Sequence, residues 1–83
     1  MPYRIEWIKR WSSRSPAHNW TMTKVRASVT EAGYAVQNDG TQIDYVILDG
    51  SDEQVIRDRQ RITQVLKRHS SKLPIRFFPT YKN

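Results

Sequence analysis

The chain has no cysteine. That excludes a disulfide framework, thiolate metal sites and a cysteine nucleophile, and it fits a reducing compartment. Nor is there an apolar run near the roughly 20 residues that cross a bilayer as a helix. The opening MPYRIEWIKRW lacks the apolar middle region of a secretory signal. The expectation is a cytoplasmic protein with no membrane partner. Histidine is scarce. His18 and His69 are the only two, and neither has a nucleophile pattern beside it, so no catalytic residue, cofactor or metal site is expected. Asp49-Gly50-Ser51-Asp52-Glu53 is rich in oxygen donors of the kind magnesium takes. Turn chemistry and acids at a helix N-terminus are the preferred account of it.

Acidic residues are also in short supply. Eight Asp and Glu face fourteen Lys and Arg, a net charge of +6, with a pI near 10.1. Such an excess favours a polyanionic partner, nucleic acid first among them. At 83 residues the chain forms one small domain, 1–83. Three Trp, four Tyr and two Phe supply much of what it can bury, since each ring covers roughly 150–250 Å².

Tyr3 to Trp11 alternates as a strand does, with Tyr3, Ile5 and Trp7 on one face and Arg4, Glu6, Ile8 and Arg10 on the other. SSRSPAHN, residues 12–19, has the composition of a polar loop. It carries Arg14 and is flanked by Trp11 and Trp20. A helix is expected from Trp20 or Thr21 to Ala32, on the stripe Met22, Val25, Val29 and Ala32, with Gly33 as its stop.

A hairpin follows, turning at Asn38-Asp39-Gly40. With Asp39-Gly40 as a two-residue loop, Val36 faces Ile43 and Tyr34 faces Tyr45. Those four and Ile47 form one side of the sheet, and Gln37, Gln42 and Asp44 the other. Val46 and Leu48 break the alternation, as suits a central strand. A second helix is expected from Asp52 to His69, with a capping box at Ser51 and Gln54. Its inner face is Val55, Ile56, Ile62, Val65 and Leu66. Arg59 intrudes on that sector and must snorkel or find a partner. Arg57, Arg61 and Arg68 share the outer face. Glu53 is spaced to pair with Arg57, and Asp58 with Arg61. LPIRFFP, bounded by Pro74 and Pro79, reads as an edge strand with Ile75 and Phe77 on one side and Arg76 and Phe78 on the other.

The order strand, helix, strand, strand, helix, strand is that of the ferredoxin-like split β-α-β, an α+β fold. Two helices would cover one face of a four-stranded antiparallel sheet. Ile5, Trp7, Tyr45, Ile47, Ile75 and Phe77 would meet the helices. Arg4, Glu6, Ile8, Arg10, Asp44, Val46, Arg76 and Phe78 would lie on the open face.

This order resembles that of RNA-recognition-motif domains. Their glycine- and aromatic-rich octapeptide on the third strand is not matched by QIDYVILD. Small ferredoxin-like nucleases place an acid at the end of the first strand, where this chain has Lys9-Arg10-Trp11.

The expected function is a small, non-enzymatic nucleic-acid-binding or regulatory protein that favours single strands. Arg4, Arg10, Arg14 and Arg76 would meet phosphates while Trp11 and Phe78 stack on bases. The alternatives are a protein-interaction module for an acidic partner, homodimeric through a sheet edge, and a small nuclease.

Overall fold

The computed structural model describes residues 2–8, 16–40, 43–69 and 73–80, with side chains described at all of these except 16–23. In chain order the elements are β1 (Tyr3–Ile8), α1 (Pro16–Glu31), β2 (Gln37–Asn38), β3 (Ile43–Leu48), α2 (Asp52–His69) and β4 (Ile75–Pro79). The four strands form one antiparallel sheet in the order β2-β3-β1-β4. The fold is α+β, and β1 and β3 are the central strands.

Helix α1 starts four residues earlier than its apolar stripe suggests, at Pro16. A proline suits the first helical position, because its missing N–H has no intrahelical acceptor to lose there. Half of the expected polar loop is therefore helix. The other end matches the sequence reading. Gly33 adopts φ 103°, its N–H donates to the Thr30 carbonyl at 3.0 Å, and the Tyr34 N–H donates to Val29 at 3.4 Å. These paired bonds satisfy carbonyls that the helix end would otherwise leave bare.

Helix α2 has the expected bounds. Its cap is half of the expected box: the Gln54 N–H donates to Ser51 Oγ at 3.2 Å, while the Gln54 side chain donates forward to both Asp58 oxygens at 3.1 Å. Val55, Ile62, Val65 and Leu66 are buried, whereas Ile56, expected inside, is 57% exposed. The inner stripe is therefore Val55, Ile62, Val65 and Leu66, with exposed Arg59 at its margin. Arg59 holds its place there by laying its guanidinium 4.3 Å from the centroid of the Phe77 ring. That ring in turn stacks on Tyr3 at 5.2 Å.

The hairpin corrects the largest expectation. Gln37 pairs with Tyr45 and Asn38 with Asp44; Val36 does not face Ile43. The connection is longer than two residues, and Asn38 sets it. Its Oδ1 accepts the Gly40 N–H at 2.8 Å. Its Nδ2 donates to the Ile43 carbonyl at 3.0 Å and to Asp44 Oδ1 at 2.9 Å. Relative to the expected pairing, the register moves by an odd number of residues, and an odd shift exchanges the two faces of a strand.

Ile5 lies opposite Val46, and Trp7 opposite Asp44, so Asp44, Val46 and Leu48 face the helices. They are 1%, 2% and 3% exposed, while Ile47 is 39% exposed. The core thus joins Ile5 and Trp7 of β1, Val46 and Leu48 of β3, Val25 and Val29 of α1, the α2 stripe and Leu73. Buried Asp44 is held by the Asn38 amide and by Arg26 of α1, whose Nη1 lies 4.0 Å away.

One tie fastens the segment before β2 to α2. The Tyr34 hydroxyl donates to Asp58 Oδ1 at 2.8 Å. Burial, the hydrogen bond to Asp58 and the Asp58 charge raise the Tyr34 pKa above 10.0, against an opposing pull from Arg61. Above pH 10 the unfolded chain releases this proton more readily than the folded one, so stability from this group falls as pH rises past 10. Tyr34→Phe is expected to cost about 1 kcal/mol at pH 7, the net value of one such bond. The variant should also lose less stability than the parent between pH 9 and pH 11. Urea midpoints of both proteins across that range test this.

Candidate functional site

The face of the sheet away from the helices is built from three cross-strand rows. Residues directly opposite each other in an antiparallel pair share a face. The middle row is Gln37, Tyr45, Glu6 and Arg76; the next is Ile47, Arg4 and Phe78; the last is Ile43 and Ile8. The expected occupants Asp44 and Val46 are therefore absent from this face, and Ile43, Tyr45 and Ile47 take their places. Arg4, Glu6, Ile8, Arg76 and Phe78 lie on it as expected. Arg10, Trp11 and Arg14 lie outside the described residues.

Glu6 is the electrostatic centre of this face. It is 5% exposed and sits between cations of two strands. Arg4 Nε donates to Glu6 Oε1 at 2.7 Å, and Arg76 Nη1 lies 3.9 Å from Glu6 Oε2. A carboxylate this well covered needs such partners, because desolvation without them costs several kcal/mol. Arg4 also reaches Asp39 Oδ2 at 3.5 Å, and its guanidinium carbon lies 3.8 Å from the Tyr45 ring centroid. The Tyr45 hydroxyl leans toward Gln37 Oε1 at 3.4 Å.

The two arginines therefore differ in availability. Arg4 is fixed by two carboxylates and one ring, and its side chain is 21% exposed. Arg76 has a side chain 72% exposed and stands 5.7 Å from the Phe78 ring centroid. The described face offers one presented cation and one cation locked flat against a ring.

Tyr45 is the residue of this face that sequence reasoning missed. Its strand has apolar residues at both phases, Ile43, Tyr45 and Ile47 against Val46 and Leu48, so alternation alone does not say which set faces out. The local signal lay in Asn38, an amide able to close a longer loop on its own backbone.

Among the described residues no three His, Asp or Glu side chains gather as a metal site. Asp49, Asp52 and Glu53 belong to the turn into α2 and its first turn, where they suit the helix dipole. Nor is any helix of the described residues long and apolar enough to cross a membrane. No protein-family model, curated protein or solved structure matches this chain.

Proposed function

We propose that the protein is a non-enzymatic, cytoplasmic, nucleic-acid-binding or regulatory module that takes single strands on the open face of its sheet. The observation that carries this reading is Tyr45. It places an aromatic ring on a central strand beside Arg4, with Phe78 on the far side of β1 and Arg76 presented next to it. Rings accept stacked bases of any sequence, and an exposed guanidinium takes a phosphate. Arg10, Trp11 and Arg14 belong to the proposal on the basic character of their segment. The overall charge of +6 supports it from outside the site.

The fold is read further as the ferredoxin-like split β-α-β. The order β2-β3-β1-β4, with every neighbour antiparallel, supports that reading.

The test is a fluorescence titration of a labelled single-stranded oligonucleotide over a range of salt. Tyr45→Ala should weaken binding roughly tenfold, within the range of about 1–3 kcal/mol for one stacked base. Arg76→Ala should lower the slope of log affinity against log salt by about one. Glu6→Gln should act in the opposite direction, since it removes the carboxylate that pairs with both Arg4 and Arg76. Binding that is indifferent to all three substitutions overturns the site.

A second reading has its own observation. Ile47, 39% exposed, shares the face with Ile8 and Ile43, and β4 is an edge strand paired only with β1. An acidic protein partner, or a second copy joined through β4, would use these. Light scattering that gives a dimer, together with no oligonucleotide binding, selects it.

A further inference from the structure

The helical side of the molecule carries a second cationic feature. A groove of about 340 Å³ runs between the last turns of α1 and the second half of α2. Ser28 and Glu31 line it from α1, and Arg61, Gln64, Arg68 and His69 from α2. Positions 61, 64 and 68 follow helical spacing, so these three side chains form one wall.

The spacing of charges along α2 suggests that acids neutralise its arginines, with Glu53 taking Arg57 and Asp58 taking Arg61. Neither pair forms among the described residues. Asp58 is turned to the Tyr34 hydroxyl and the Gln54 amide instead. Arg61 and Arg68 consequently have no ion pair or hydrogen bond among the described residues. They flank a hydroxyl–imidazole pair that bridges the helices, with His69 Nε2 2.9 Å from Ser28 Oγ.

We propose that this groove binds a phosphoryl group. Arg61 and Arg68 supply the charge. Ser28, Gln64 and His69 add further hydrogen-bonding groups to its lining. A guanidinium fork matches phosphate oxygens geometrically, and binding replaces water on two guanidiniums that have no internal ion pair or hydrogen bond to give up. Glu31 opposes this with one negative charge and keeps the groove selective for strongly anionic ligands. The site is separate from the sheet face and does not depend on a nucleic acid binding there. The phosphoryl group can come from a free phosphate or from a nucleic-acid backbone or terminus.

The experiment is a backbone-amide NMR titration of the whole chain with sodium phosphate at constant ionic strength, using sodium chloride as the matched control. Saturable shifts at Ser28, Arg61, Arg68 and His69, absent with chloride, are expected. Arg61→Gln with Arg68→Gln should weaken phosphate binding at least tenfold. Arg57→Gln, on the same helix but outside the groove, should leave it within twofold. Identical shifts with chloride overturn the proposal, as does an equal loss in Arg57→Gln.

Two competition arms then identify the source. Displacement of phosphate only by a 5′-phosphorylated oligonucleotide assigns the site to a terminal phosphate, displacement by an unphosphorylated one to the backbone, and displacement by neither to a free phosphate. Arg76→Ala and Tyr45→Ala should not alter phosphate binding, which keeps this result independent of the sheet face.

Discussion

Val46→Asp is expected to unfold the protein, and Ile47→Asp to leave it folded. The two residues are neighbours in β3 and similar in chemistry, but they point to opposite faces. Val46 is 2% exposed and lies opposite Ile5 in the core. An aspartate there loses about 1.5–3 kcal/mol of apolar burial and adds a desolvation penalty of several kcal/mol for an unpaired charge. It also stands two residues from Asp44 on the same face. The total, on the order of 4 kcal/mol or more, compares with about 4–12 kcal/mol for a whole domain of this size.

Ile47 is 39% exposed and lies opposite Arg4, so an aspartate there stays hydrated beside a cation. Its cost should be within about 1 kcal/mol, the span of strand propensities. Urea unfolding followed by circular dichroism tests both. A folded Val46→Asp together with an unfolded Ile47→Asp would reverse the assignment of β3 and remove Tyr45 from the open face.

Trp7 should be the most costly truncation in the core. It is 1% exposed and the largest of the fully buried side chains among the described residues. Trp7→Ala is expected to cost about 3–5 kcal/mol, from lost burial and the cavity left behind. For a domain of this size that lowers Tm by roughly 12–40 °C. Trp7→Phe separates packing from polarity. The indole Nε1 is buried and has no hydrogen-bond partner among the described residues, and such a group carries a penalty of about 1–3 kcal/mol. Phenylalanine removes that penalty while filling most of the space. The expected loss is less than half that of Trp7→Ala in thermal and urea unfolding. An equal loss in the two variants would mean that the indole nitrogen is satisfied in solution.

The nucleic-acid reading and the phosphoryl groove draw on different cations. On the described sheet face, Glu6 pairs with both Arg4 and Arg76, but Arg76, 72% exposed against 21% for Arg4, is the guanidinium within a ligand's reach. On the helices, Asp58 is turned to Tyr34 and Gln54, and Arg61 and Arg68 have no ion pair among the described residues. Exposed guanidinium groups of the described residues therefore stand on two sides of a sheet-and-helix layer, one with rings and one without.

The sequence by itself determined the elements whose causes are local. Helix α2 runs between the bounds its periodicity and caps imply. Gly33 ends α1 because only glycine takes that backbone cheaply. The two faces of β1 and of β4 follow from alternation, since their inward sets carry Ile5, Trp7, Ile75 and Phe77. Charge pairing at helical spacing was less informative, because Asp58 had a competing donor in Tyr34, 24 residues away in the chain.

Tertiary structure alone decided the phase of β3. A period of two says that neighbours point oppositely, not which of them points inward. Both of its sets can be buried, so the outcome rested on how β2 closes onto β3 through Asn38 and on the pairing of β3 with β1. That long-range choice sends Asp44 inward to Asn38 and Arg26, and puts Tyr45 on the surface where the proposed ligand would stack.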